Sequence, residues 1–125
     1  MINFQNPEMV KLHLMGPETY AKILAPIFIE DEYAIGTFKG VRDGVVFTNY
    51  RIITINIQGV TGKRKDISSL PYKFIQAFSF ETAGVGDLDN QLQVWFPELG
   101  MISFEFLANV DISEICRIIS TYSLS

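Results

Sequence analysis

The chain has 125 residues, the size of one domain and enough to bury one real core. Ten basic against fourteen acidic side chains leave a net charge of −4, which argues against a nucleic-acid partner, because such a binder needs a basic face to neutralise phosphates. Cys116 is the single cysteine, which excludes a domain built on internal disulfides.

The opening stretch has neither a basic start nor a long apolar run, so no signal peptide or membrane span is expected and the expected compartment is the cytoplasm. Asn6-Pro7 has the form of a helix start, with Asn as cap and Pro at the first helical position. Met9, Val10, Leu12 and Met15 would line one side of that helix, and Gly16 would stop it. Pro17 restarts a second segment. There Tyr20, Ile23, Leu24, Ile27 and Phe28 follow the spacing of an apolar helix face, and Pro26 should end or kink it near Ala25. Residues 1–29 therefore read as an N-terminal helical extension, and 30–125 as the main domain.

From Glu32 the period changes to two. Strands are expected over Tyr33–Lys39, Val45–Asn49 and Arg51–Gln58, with Gly40–Gly44 as a turn. In the third, Ile53, Ile55 and Ile57 face one way and Thr54, Asn56 and Gln58 the other, as in a sheet with one wet face. Gly59 and Gly62 bracket a turn, and a strand follows over Lys63–Leu70. Pro71 interrupts it, because proline cannot donate to a ladder, and another strand runs over Lys73–Thr82. Gly84–Asn90 is a polar turn. Leu92, Val94 and Phe96 share one face of the next strand, and Ile102, Phe104 and Phe106 the inner face of the last. That makes about seven strands. The final element is a helix: Asp111 and Glu114 have capping-box spacing, and Ile112, Ile115, Cys116, Ile119 and Tyr122 form its apolar stripe.

Three segments carry a family resemblance: Phe47-Thr48-Asn49-Tyr50-Arg51-Ile52-Ile53, then Gln58-Gly59-Val60-Thr61-Gly62-Lys63-Arg64, then Leu70-Pro71-Tyr72 with Ile75 and Phe78. Together they resemble the bacterial PH-domain family, over about Glu30 to the end of the chain. The resemblance implies a mainly β fold: a pleckstrin-homology-like bent antiparallel barrel capped by a C-terminal helix, here with an added helical N-terminus. It implies no enzyme activity, and it implies homo-oligomers, some of them ring-shaped.

The residues agree with a non-catalytic reading. His13 is the only histidine, so a two-histidine metal site or a histidine-based nucleophile pair has little to build on. Cys116 lies on the apolar stripe, where a small buried hydrophobe is the ordinary role. Glu30-Asp31-Glu32 reads as a solvated or capping acidic cluster ahead of a strand. Asp87 and Asp89 lack the length and closing Glu of a calcium loop. Gly84-Val85-Gly86 lacks phosphate-loop spacing. No metal or other cofactor is expected.

Two surface features remain. Lys63, Arg64 and Lys65 form the one basic run, placed in the turn after the Gln58 strand, where they suit an anionic lipid headgroup or an acidic peptide. The loop between the first two main strands lacks the basic-x-Arg step of phosphoinositide-binding PH domains. Phe74, Ile75, Trp95 and Met101 place apolar groups on strand faces that need cover, either from the N-terminal helices or from another subunit. The expected function is a non-catalytic binding and assembly module acting as a homo-oligomer, with a possible protein or peptide partner. The alternative is peripheral binding of an anionic membrane through Lys63, Arg64 and Lys65.

Overall fold

A computed structural model describes residues 8–58, 62–82 and 89–125. The proposed helix start at Asn6-Pro7, most of the turn at Gly59–Gly62 and most of the polar turn before Asn90 lie outside them. Eight strands and two helices follow in order: β1 (Glu8–Met15), α1 (Ala21–Leu24), β2 (Ala34–Lys39), β3 (Asp43–Thr48), β4 (Arg51–Gln58), β5 (Arg64–Pro71), β6 (Ala77–Glu81), β7 (Asn90–Phe96), β8 (Gly100–Phe106) and α2 (Ile112–Ser123). Short 3-10 turns cover Pro17–Tyr20 and Tyr72–Phe74. The strands form one sheet in the order β5-β4-β3-β2-β1-β8-β7-β6.

The expected PH-like sheet with its terminal helix is present, and three details differ. First, Glu8–Met15 is a strand rather than a helix, so the count is eight. β1 lies inside the sheet, antiparallel to β2 and parallel to β8. A bulge gives this strand its helix-like spacing. The register of β1 shifts between Met9 and Leu12, and Lys11 has a left-handed φ of 57°. One extra residue puts Met9 and Leu12 on the same buried side at a spacing of three, which imitates a helix face. Second, the β1–β8 contact makes the sheet mixed rather than purely antiparallel. Third, the sheet is open: β5 and β6 are its two ends.

The inner face carries the main core. Phe38, Phe47, Phe104 and Phe106 pack with ring centroids 5.0–6.4 Å apart, in edge-on, tilted and stacked pairs. α2 closes over this core with Ile112, Ile115, Cys116 and Ile119. Asp111 caps it, accepting from the Ser113 N–H at 3.1 Å. Tyr122 in the last turn stacks on Tyr72, centroids 5.7 Å apart.

A second, smaller core lies on the other face. Tyr20 and Leu24 of the N-terminal segment bury Val46, Ile53 and Ile55, with Ile23, Ile27 and Phe28 packed around them. The spacing read from the sequence for this segment is the observed one. Its consequence for β4 leaves no mark in the local alternation. Because Ile53 and Ile55 face the N-terminal segment, Ile52 and Thr54 face the main core, and Thr54 is buried rather than wet. Gly44 is needed here, since any side chain on it would run into the Tyr20 ring. Gly40 admits a second close approach: a Cβ there would lie 2.8 Å from the Val10 carbonyl oxygen of β1.

Candidate functional site

The residues of the F-T-N-x-R segment sit at the turn between β3 and β4 and form a buried polar network. The Arg51 guanidinium donates to both carboxylate oxygens of Glu32, at 2.9 and 2.7 Å, and also to the Ile27 carbonyl at 2.8 Å and to Ser69 Oγ at 3.1 Å. Glu32 further accepts from Thr48 Oγ1 at 2.8 Å and from the Ile29 N–H at 3.1 Å. Its side chain is wholly shielded from solvent. Burial alone would raise the Glu32 carboxyl, but the bonds from Arg51, Thr48 and Ile29 outweigh it and hold the carboxyl below its usual range. Asn49 accepts from the Tyr33 N–H and donates to the Asp31 carbonyl, both at 2.9 Å. Glu30 and Asp31 of the acidic cluster are exposed, as expected of a solvated group, and Glu32 is the exception. Glu32 is a buried partner that ties the N-terminal segment to β3, β4 and β5.

Beside this network a cavity of about 570 Å³ opens between Arg51, Tyr50, Pro71, Lys73, Tyr122 and Ile29. Nothing in the sequence patterning marks it, because its walls come from four separate elements. The hydroxyl of the neighbouring Tyr72 is buried with no hydrogen-bond partner among the described residues, and burial raises its phenol far above the ordinary range.

The interface candidates are split by the fold. Trp95 and Met101 lie opposite each other on β7 and β8, both half-buried on the outer face, with Ala77 of β6 on the other side of Trp95. Ile75 packs against the main core instead. Phe74 is 56% exposed in the turn before β6, with Lys73 Nζ 5.2 Å above its ring. The N-terminal segment covers the β3–β4 half of the sheet, the opposite half from β7.

Lys63, Arg64 and Lys65 are all exposed, and Arg64 and Lys65 open β5 opposite Gln58 and Ile57, in agreement with the strand expected over Lys63–Leu70 and not with a place in the turn. Among the described residues no cluster of three His, Cys, Asp or Glu is placed to hold a metal. His13 is exposed on β1, and burial pushes the Cys116 thiol up to about 11, which keeps it protonated and inert at neutral pH. No helix among the described residues is long and apolar enough to cross a membrane.

The family model for the bacterial PH domain matches residues 3–123. The chain belongs to the bacterial PH domain family. It is 42% identical over 99 residues to the uncharacterized protein YjqA of Bacillus subtilis, covering 78% of this chain and 79% of that protein. A crystal structure of a protein with a pleckstrin-homology domain from Shewanella loihica superposes with a TM-score of 0.80 at 34% identity, covering 91% of this chain and 98% of that one. A pleckstrin homology domain from Shewanella amazonensis gives 0.69 at 37% identity, covering 89% and 90%. The match from residue 3 takes in β1, in keeping with its place inside the sheet.

Proposed function

We propose that this bacterial PH domain is a non-catalytic binding and assembly module that works in the cytoplasm as a homo-oligomer and engages protein partners. The observation that carries this reading is the outer face of β6, β7 and β8. There Ala77, Trp95 and Met101 form a continuous apolar ladder, while the N-terminal segment is engaged elsewhere. Aromatic and Met side chains at a half-buried surface position suit a protein interface.

Trp95 is the only tryptophan, so its emission reports on that face alone. If the face is a self-interface, Trp95 is shielded from acrylamide in the native chain and becomes quenchable in the Met101→Glu variant, which puts a charge opposite it on β8. Equal quenching in the two overturns the reading.

A second reading rests on the three consecutive exposed cations. Lys63, Arg64 and Lys65 would hold the domain on an anionic membrane surface, at about 1 kcal/mol for each cation near the leaflet. Reversing the three charges should abolish binding to phosphatidylserine vesicles, and binding should weaken with salt. Binding that ignores both changes rules it out.

A further inference from the structure

Three features line up along one strand. β5 is an end strand, with β4 on one side and no further strand on the other among the described residues. Its first residues, with Lys63 before them, are exposed cations. At its far end, Leu70 and Pro71 form one wall of an apolar cleft of about 240 Å³ completed by Phe74, Phe96, Pro97 and Leu99. Phe74 and Leu99 at its mouth are 56% and 46% exposed. Between the two ends Ile67 is also exposed.

We infer that β5 accepts an added strand: an extended acidic segment of a partner protein. It lies antiparallel to β5, with its apolar N-terminal end in the cleft and its carboxylates beside Lys63, Arg64 and Lys65. The sign of the partner follows from the charge of the edge, where three cations are set against Asp66 alone. Edge lysines ordinarily discourage pairing with neutral strands, and here they select the strand that is admitted. The direction follows from the β4–β5 ladder, which is antiparallel throughout and continues most favourably with another antiparallel pair. The eight residues of β5 span about 23 Å at ~3.3 Å each, so the acidic residues follow the apolar anchor by about five to seven positions. A lipid leaflet would engage the cations and leave the edge and the cleft unused, whereas an added strand uses all three. The inference rests on the protein-binding part of the proposed function and not on self-association.

The test is fluorescence anisotropy with the full chain. The probe is a fluorescein-labelled peptide of about nine residues, with a leucine pair at its N-terminus, alternating threonine and valine, and three glutamates at its C-terminus. Saturable binding is expected. It should fall about tenfold or more at low salt with the combined Lys63→Glu, Arg64→Glu and Lys65→Glu substitutions, and several-fold with Leu99→Ser. A probe N-methylated at alternate residues should not bind, because strand addition depends on main-chain hydrogen bonds. All four substituted positions are exposed, and circular dichroism of each variant against the unmodified chain checks that it folds.

Absence of binding by the unmodified probe overturns the inference, as does equal binding of the N-methylated one. Vesicle binding without probe binding assigns the cations to a membrane instead. If the charge-reversed variant also loses native mass, the edge is a contact between copies and the inference fails. If the unmodified chain is a monomer that still binds the probe, the inference stands and only self-association is lost.

Discussion

Replacing Glu32 by Gln removes one partner of a buried, bidentate ion pair and keeps the side-chain shape. Arg51, whose side chain is 17% exposed, would then stay fixed by the Ile27 carbonyl and Ser69, facing a neutral amide where the carboxylate was fully shielded. Removing one member of a buried pair costs about 3–5 kcal/mol, against about 0–1 kcal/mol for a surface pair. Gln keeps one acceptor oxygen, which can serve Thr48 or Ile29 but not both, so the loss is ~3 kcal/mol or more. For a chain of 125 residues this lowers the Tm by about 10 °C. Arg51→Met should cost at least as much, since it strands the carboxylate. The combined Glu32→Gln/Arg51→Met variant should lose less than the sum of the two, because neither charge is left unpaired.

The pH dependence has a definite sign. The folded Glu32 carboxyl titrates below its unfolded value of about 4.3. Its contribution is therefore complete above that pH and is lost as the pH falls through the lower, folded value. Urea unfolding at pH 7 and pH 3 measures both effects, and the gap between wild type and Glu32→Gln should narrow at pH 3. A loss below about 1 kcal/mol at pH 7, or strict additivity in the double variant, refutes the buried-pair account.

Three further substitutions probe the fold. Tyr72→Phe removes a buried hydroxyl with no partner and should leave stability unchanged or raise it by about 1 kcal/mol in urea unfolding; a clear loss would mean that the hydroxyl is bonded. Glu98 holds a left-handed φ of 69° in the β7–β8 turn, so Glu98→Gly should raise stability by about 0.5 kcal/mol or more, and a lower Tm would contradict this. Gly44→Val should push Tyr20 off β3 and cost about 1–3 kcal/mol, with faster hydrogen exchange at the Ala25 amide, which bonds to Ala21 in α1. Unchanged exchange there would mean that the N-terminal segment does not depend on that contact.

Regular alternation was the legible part of this chain. Arg51–Gln58 and the Leu92-Val94-Phe96 and Ile102-Phe104-Phe106 faces follow directly from a period of two, and α2 from Asp111 and its apolar stripe. The rest was hidden by a bulge, by partners distant in the chain and by a break in phase. In β1 the bulge at Lys11 converts a strand spacing into a helical one. In β4 the burial of both faces depends on a segment more than twenty residues earlier, so Thr54 gives no local sign of its burial. Asn49 and Arg51 were visible as family marks, but their partners Asp31, Tyr33 and Glu32 lie ahead of β2, 16 to 19 residues earlier, where periodicity cannot align them. Alternation run straight through Pro71 puts Phe74 and Ile75 on opposite faces of one strand. The 3-10 turn at Tyr72–Phe74 resets the phase ahead of β6, which sends Ile75 inward and leaves Phe74 by the cleft.

Light scattering of the native chain over a dilution series, with Trp95→Glu alongside, tests self-assembly most directly. The expected result is a concentration-independent mass that is a multiple of 14.2 kDa, reduced to the single-chain value by Trp95→Glu. A mass of 14.2 kDa at every concentration, or an oligomer indifferent to Trp95→Glu, would contradict assembly through the Trp95–Met101 face.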